Sequence, residues 1–214
     1  RDEKGVSAVV TDRGRIHTRV VVNAAGPFAI TVARWLGVEL PIYQMRRQRV
    51  FVAPHPKIPQ NAPLTIDLEN ESYWRPETGG ALLGWHDPEE QKTEPLEDPQ
   101  GDWDFPAFNL EMVSRLSPFW TEIIDDLTKD DLSVYAGQYV HAPDDQPIIG
   151  PVESVPGFFL NCAYWPGVML SAASGRWTAD LIAGKMKNAD NPLRLTRFEE
   201  GIEAPRGSFF RGQH

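Results

Sequence analysis

The run Val-Val-Val-Asn-Ala-Ala-Gly-Pro, residues 20–27, constrains the fold more than any other stretch of this chain. Its β-branched residues favour an extended strand. The strand stops in Ala24, Ala25 and Gly26, which are small enough to turn tightly or to let backbone pass close to a ligand. Pro27, with its fixed φ, then suits the first turn of a helix. No G-x-G-x-x-G loop follows a strand anywhere in the sequence, so the usual phosphate cradle of a dinucleotide site is absent from these residues. Two readings stay open at this point: a ligand beside Ala24–Gly26, or a strand-to-helix turn with none.

The rest of the chain alternates strands with a few helices. Gly5–Thr11 and Arg15–Asn23 read as strands around a turn at Asp12-Arg13-Gly14. The spacing of Phe28, Val32, Trp35 and Leu36 predicts a helix over 27–37, closed by Gly37. "PIYQMRRQRVFVAP" reads as a strand bounded by prolines, with alternating charge at Arg47 and Arg49. "TIDLENESYWRP" and "GGALLGWHDP" read as strands joined at Glu77-Thr78-Gly79-Gly80. Residues 89–104 are charged and proline-rich and are expected to form a surface loop. "FNLEMVSRLSPFW" has helical spacing at Leu110, Val113 and Leu116, with Asn109 as its expected cap. "DLSVYAGQYVHAP" is a strand candidate weakened by Gly137. Residues 157–184 begin as a strand and end as a helix closing on Gly184. From Lys185 the chain is polar and poorly patterned. This is an α+β, mixed α/β arrangement, with a strand–turn–helix unit near each end.

Composition excludes several functions. The net charge of −9 argues against a nucleic-acid partner, which needs a basic face. No apolar run approaches the roughly 20 residues that span a bilayer, and no signal peptide opens the chain. A single cysteine, Cys162, precludes an intrachain disulfide and fits a reducing compartment, the cytoplasm or, in a eukaryote, the mitochondrial matrix. No Cys/His spacing suits a metal, and no G-x-S-x-G elbow is present. The acidic pairs Glu89-Glu90, Asp125-Asp126 and Asp130-Asp131 read as solvated charge. The chain starts at Arg1 with no methionine and is read as the C-terminal part of a longer protein.

Five segments in order, "DRGRIHTRVVVNAAGPFA", "MRRQRVFV", "YWRPETGGALLGWHDPEE", "YAGQYVHAPDDQPIIGPV" and "GFFLNCAYWPGVMLSAASGRWTADLIAG", resemble the C-terminal half of the D-amino-acid oxidase superfamily of FAD-dependent oxidoreductases. That group includes glycine oxidase, sarcosine oxidase and the dimethylglycine dehydrogenases. The likeness implies C-terminal strands and a helix of an FAD-binding Rossmann-like domain, plus a mostly antiparallel substrate sheet flanked by helices. It implies residues 1–29 in the FAD-binding domain, 30–145 as the substrate domain, 146–187 returning to the first, and 188–214 as a tail. It also implies FAD as cofactor and oxidation of a C–N bond in an amine or amino acid by hydride transfer to the flavin.

The likeness further implies site residues. Ala24, Ala25 and Gly26, with Trp165, Pro166, Gly167, Val168 and Met169, are the expected cofactor neighbours. Tyr73, Arg75, Trp85, Tyr139 and His141 are the expected substrate neighbours, with His86 beside them. Arg75 suits a bidentate contact with a substrate carboxylate, or is simply an exposed strand arginine. Tyr139 stands where glycine oxidase-like relatives carry an arginine and dimethylglycine dehydrogenase-like relatives a tyrosine. His141 is an acid–base candidate or a packing residue. Trp74, Trp85 and Trp165 are core fillers or walls of an amine pocket.

One segment departs from the family. Relatives carry G-x-S-G-H-G-F where this chain has Cys162–Val168: Gly167 keeps the last glycine, Pro166 replaces the histidine, Trp165 a glycine and Tyr164 the serine. Pro166 lacks an N–H, and Trp165 adds bulk. Two rival readings follow, a catalytically silent binding module and one chain of a split flavoenzyme. A homodimer or a missing N-terminal half is expected to cover an otherwise open sheet edge.

Overall fold

The structure is a computed structural model and describes residues 1–204; residues 205–214 of the expected tail lie outside the described residues. The chain divides into two compact units. Unit 1 holds residues 1–44, 93–95 and 139 onward; unit 2 holds 45–92 and 96–138.

Unit 1 begins with the hairpin β1 (Ala8–Thr11) and β2 (Gly14–His17), paired from Ala8↔His17 to Thr11↔Gly14. The extended segment expected over Arg15–Asn23 is broken. Thr18 Oγ1 donates to the Val20 carbonyl and accepts from the Val20 N–H, a local bend that ends β2. The chain then leaves the hairpin as β3 (Val21–Asn23). A short 3₁₀ turn and helix α1 (Ala29–Arg34) follow, and Ala29, Ile30 and Ala33 are buried.

The second half of unit 1 supplies β10 (Ile148–Pro151), β11 (Phe158–Cys162), α3 (Gly167–Ile182) and α4 (Arg197–Glu200). The sheet order is β10–β11–β3, with β10 antiparallel and β3 parallel to β11. The parallel register is Phe158↔Val21, Phe159↔Val22 and Leu160↔Asn23. Phe158, Leu160 and Cys162 alternate into the core beside Ile148, Val152 and α1. Gly157 allows the close approach that starts this pairing: its φ is +84°, and a Cβ there would collide with the Arg19 carbonyl.

Unit 2 is built on a six-stranded sheet ordered β5–β6–β7–β4–β8, with β9 also paired to β4. The strands are β4 (Tyr43–Val52), β5 (Thr65–Asp67), β6 (Ser72–Glu77), β7 (Gly80–Trp85), β8 (Lys92–Thr93) and β9 (Leu132–His141). The chain passes between the units along β4 and β9, with a brief return to unit 1 at residues 93–95. The β6–β7 hairpin turns where expected, with Thr78 at φ +49° and Gly79 at φ +83°. Helix α2 (Phe105–Leu116) covers one face, and Leu110 and Val113 pack with Val50, Leu83 and Trp74.

One expectation is corrected here, and two stretches are held by contacts that the sequence did not show. Asn109 is not a cap: α2 starts four residues earlier, at Phe105 with Pro106 in its first turn, and Asn109 is buried inside it. The 89–104 stretch lies at the surface, as expected, and is pinned there: Arg46 reaches Glu90 at 3.1 Å and the Gln100 carbonyl at 3.2 Å, and Asp102 N–H donates to Gln48 Oε1. The segment after Lys185 contributes Asn191, Arg197 and Ala204 to the buried residues of unit 1. Arg197 is fully buried and forks onto Asp144, Nε to Oδ2 and Nη2 to Oδ1, both at 2.9 Å. It also donates to the carbonyls of Leu193, Arg194 and Gln146. Among the described residues no helix is long and apolar enough to cross a membrane.

The buried ion pair gives an asymmetric expectation. Asp144→Ala strands a desolvated guanidinium and should cost about 3–5 kcal/mol. Arg197→Met removes the buried charge itself and leaves a partly exposed carboxylate, so it should cost less. Urea unfolding midpoints of the two variants check the order.

Candidate functional site

The parallel pairing of β3 with β11 sets two strand ends side by side. Ligands of open α/β sheets bind outside such carboxyl ends. From β3 the chain runs into Ala24, Ala25 and Gly26. Asn23 shapes that turn: its buried side chain donates to the Ala29 carbonyl at 2.8 Å and accepts from the Ala25 N–H at 3.3 Å. Gln44 Nε2 holds the Pro27 carbonyl at 2.9 Å. Neither Asn23 nor Gln44 is among the residues expected from sequence. The signal for Asn23 was its place at a strand end, where its amide can bond backbone two residues on.

From β11 the chain runs into Ala163, a non-glycine residue with φ +64°, then Tyr164, Trp165 and Pro166. The Tyr164 hydroxyl donates to Asn161 Oδ1; Asn161 Nδ2 donates to Thr178 Oγ1 at 3.0 Å, and Thr178 Oγ1 to the Ser174 carbonyl. This chain of bonds ties the loop to α3. Pro166 caps α3, and its carbonyl accepts from Met169 and Leu170. A proline costs little there, because the first N–H groups of a helix have no partner within it.

These two ends suit the flavin side of the expected cofactor. A Cβ at Gly26 would meet no heavy atom within 4 Å. At the start of α3, Val168 and Met169 are 92% and 75% exposed, an apolar surface able to take a planar ring. The phosphate loop that would hold the other end of FAD is not among these residues.

Elsewhere in unit 1, Tyr139 lies beside Trp165, with ring centroids 6.5 Å apart and planes at 41°. His141 stacks on Tyr43 at 5.3 Å, and its Nδ1 meets Asp145 Oδ1 at 2.9 Å. Its Nε2 is buried without a hydrogen-bond partner.

Unit 2 separates the remaining expected residues by face. Trp85 lies on the α2 side, stacked on Phe105 at 6.1 Å and 24°. Trp74 is in the same core, donating to Ser117 Oγ at 2.7 Å. Tyr73 and Arg75 lie on the opposite face of the sheet, as alternation along β6 requires. Arg75 pairs with Glu77 at 2.7 Å. His86, just beyond β7, meets the Glu71 carboxylate through Nδ1 and the Arg47 guanidinium through Nε2. Among the described residues no cluster of His, Cys, Asp and Glu could hold a metal ion.

The chain matches the family described as FAD dependent oxidoreductase over residues 1–181. It is 26% identical over 193 residues to mitochondrial dimethylglycine dehydrogenase of Mus musculus, covering 83% of this chain and 22% of that protein. It is 29% identical over 206 residues to mitochondrial sarcosine dehydrogenase of Mus musculus, covering 92% and 22%. Among solved structures, L-proline dehydrogenase from P. horikoshii superposes with a TM-score of 0.77 at 22% identity, over 94% of this chain and 52% of that one. The chain thus spans about a fifth of these curated relatives' length and about half of that structure's.

Burial pushes the Cys162 thiol up to about 12 and the Tyr164 phenol up to about 12. Both keep their protons in the folded chain where the unfolded chain would lose them, so stability falls as pH rises. That stability should be intact below about pH 9 and lost toward pH 12. Cys162 should also resist a thiol reagent at pH 8 until denaturant is added, which a colorimetric thiol assay checks.

Proposed function

The chain belongs to the family of FAD dependent oxidoreductases, and on that premise we propose that it serves in the oxidation of a C–N bond of an amine or amino acid. The observation that carries this reading is the β3–β11 pair, which sets Ala24–Gly26 and the 163–167 loop at adjacent strand ends. FAD, when bound, supplies the hydride acceptor. The residues here orient and enclose. Ala24, Ala25 and Gly26 keep the β3 end open for close approach. Trp165, Pro166, Gly167, Val168 and Met169 form the apolar approach to α3. Tyr139 and Trp165, with ring centroids 6.5 Å apart, wall the substrate side in unit 1. The Gly-rich phosphate loop comes from an N-terminal half outside these residues, on the same polypeptide or on a partner.

Mixing the chain with FAD, alone and with the missing half supplied, and recording the visible spectrum tests this. A band near ~450 nm that co-elutes with protein and bleaches anaerobically with sarcosine, dimethylglycine or proline is the expected outcome. A complete protein that stays colourless in FAD sinks the reading.

A further inference from the structure

Oxidising a C–N bond draws on a nitrogen lone pair, and an amine at neutral pH carries a proton there instead. A group that accepts this proton is therefore part of the chemistry. Among the described residues, unit 1 holds two imidazoles, His17 and His141. His17 sits on the exposed strand β2. His141 is the last residue of β9, and its side chain is 12% exposed.

The surroundings of His141 fix its ring. Nδ1 lies 2.9 Å from Asp145 Oδ1. An ionised carboxylate only accepts, so in the neutral ring Nδ1 carries the proton and Nε2 the lone pair. Nε2 is buried and has no hydrogen-bond partner. A buried acceptor with nothing to accept is uncommon in a folded chain. The turn that supplies Asp145 is itself held. Asp145 N–H donates to the Ala142 carbonyl at 3.0 Å, and Asp144 is forked onto the buried Arg197. Asp145 has φ +55°, in the left-handed region that few non-glycine residues occupy. Backbone of this kind persists where the surroundings impose it, and it clusters at functional sites. The face of the imidazole stacks on Tyr43, with planes at 13°. Asp145 from the turn and Tyr43 from β4 are thus the titratable groups set against it, while Asp144 faces Arg197. Tyr139 and His141 stand two residues apart on β9 and share a face. His141 therefore follows directly, along the strand, the tyrosine that lies beside Trp165.

The geometry points to His141 Nε2 as the acceptor of the substrate's ammonium proton, with Asp145 as the residue that positions it. This rests on the proposed C–N oxidation and adds the base to it. One N–H bond of the ammonium breaks, its electron pair stays on the amine nitrogen, and an N–H bond forms at Nε2. The resulting imidazolium faces the Asp145 carboxylate, and the proton leaves to solvent after turnover. Catalytic hydrogen bonds often form only when the site is filled, and this contact belongs to the filled site.

Anaerobic flavin reduction by a secondary amine, followed in the complete FAD-loaded protein between about pH 6 and about pH 10, tests the step. His141→Gln should slow reduction ~100-fold near neutral pH. The deficit should close toward pH ~10, where the amine sheds its proton unaided. His17→Gln should match native. Asp145→Asn tolerates the same backbone and sets an amide against Nδ1, so it should show a deficit with the same recovery. Nitrogen-15 spectra of this chain without flavin read the ring independently. Native His141 should be the Nδ1–H tautomer, and Asp145→Asn should move the proton to Nε2. If His141→Gln melts below native, Asp145→Asn at native melting temperature decides the matter. Reduction by His141→Gln at the native rate, a deficit that is the same at every pH, or an Nε2–H tautomer in the native chain overturns the assignment. Any of these in a protein whose flavin is still reduced by amines leaves the C–N oxidation standing. A native FAD-loaded protein that no amine reduces sinks the oxidation and this assignment with it.

Discussion

The parallel contact between β3 and β11 is the constraint on which unit 1 depends. Val21 finds Phe158 well over half the chain's length away. Closing so long a loop costs entropy that no local hydrogen bond offsets, and two further contacts help to hold it. Gly157 lets the strands start together, and the Val21 N–H donates to the Gly157 carbonyl. Phe158, Leu160 and Cys162 supply the apolar face that makes the pairing favourable. Once it forms, both candidate cofactor segments are placed at once, because each is the direct continuation of a paired strand.

The same economy operates on a smaller scale in unit 2. Three strands bring Tyr73, Gly84 and Arg49 into one row through ladder hydrogen bonds alone. A glycine in a central strand weakens packing locally. Here the lost side chain is what lets the tyrosine ring lie down across the sheet.

What could be read in the sequence was mostly what local chemistry decides. The β6–β7 turn announces itself through Thr78-Gly79, and α2 through the spacing of Leu110 and Val113. The Ala-Ala-Gly strand end and the 157–184 strand–helix unit were legible as elements, and their likeness to a family gave the order of the segments. Distant partners were not legible. Nothing in Arg15–Asn23 says that the strand breaks at Thr18 and leaves its hairpin neighbour for a strand near the other end. Nothing in the polar run after Lys185 says that Arg197 is the most enclosed cation among the described residues, since its partner Asp144 lies outside that run. Arg47 and Arg49 were visible as alternating charge. Their different neighbours depend on which residues of β6 and β7 face them, and register is a property of the sheet.

Apart from a brief return to unit 1 at residues 93–95, unit 2 enters and leaves on β4 and β9, two strands that pair with one another. A segment whose two ends emerge side by side can be exchanged as a cassette, because the host chain needs only the same short gap bridged. A lineage can therefore exchange the inserted sheet while the framework around it keeps its sequence. The same property makes the junctions at Gln44–Met45 and Gln138–Tyr139 natural places to graft a sheet from another protein onto this scaffold.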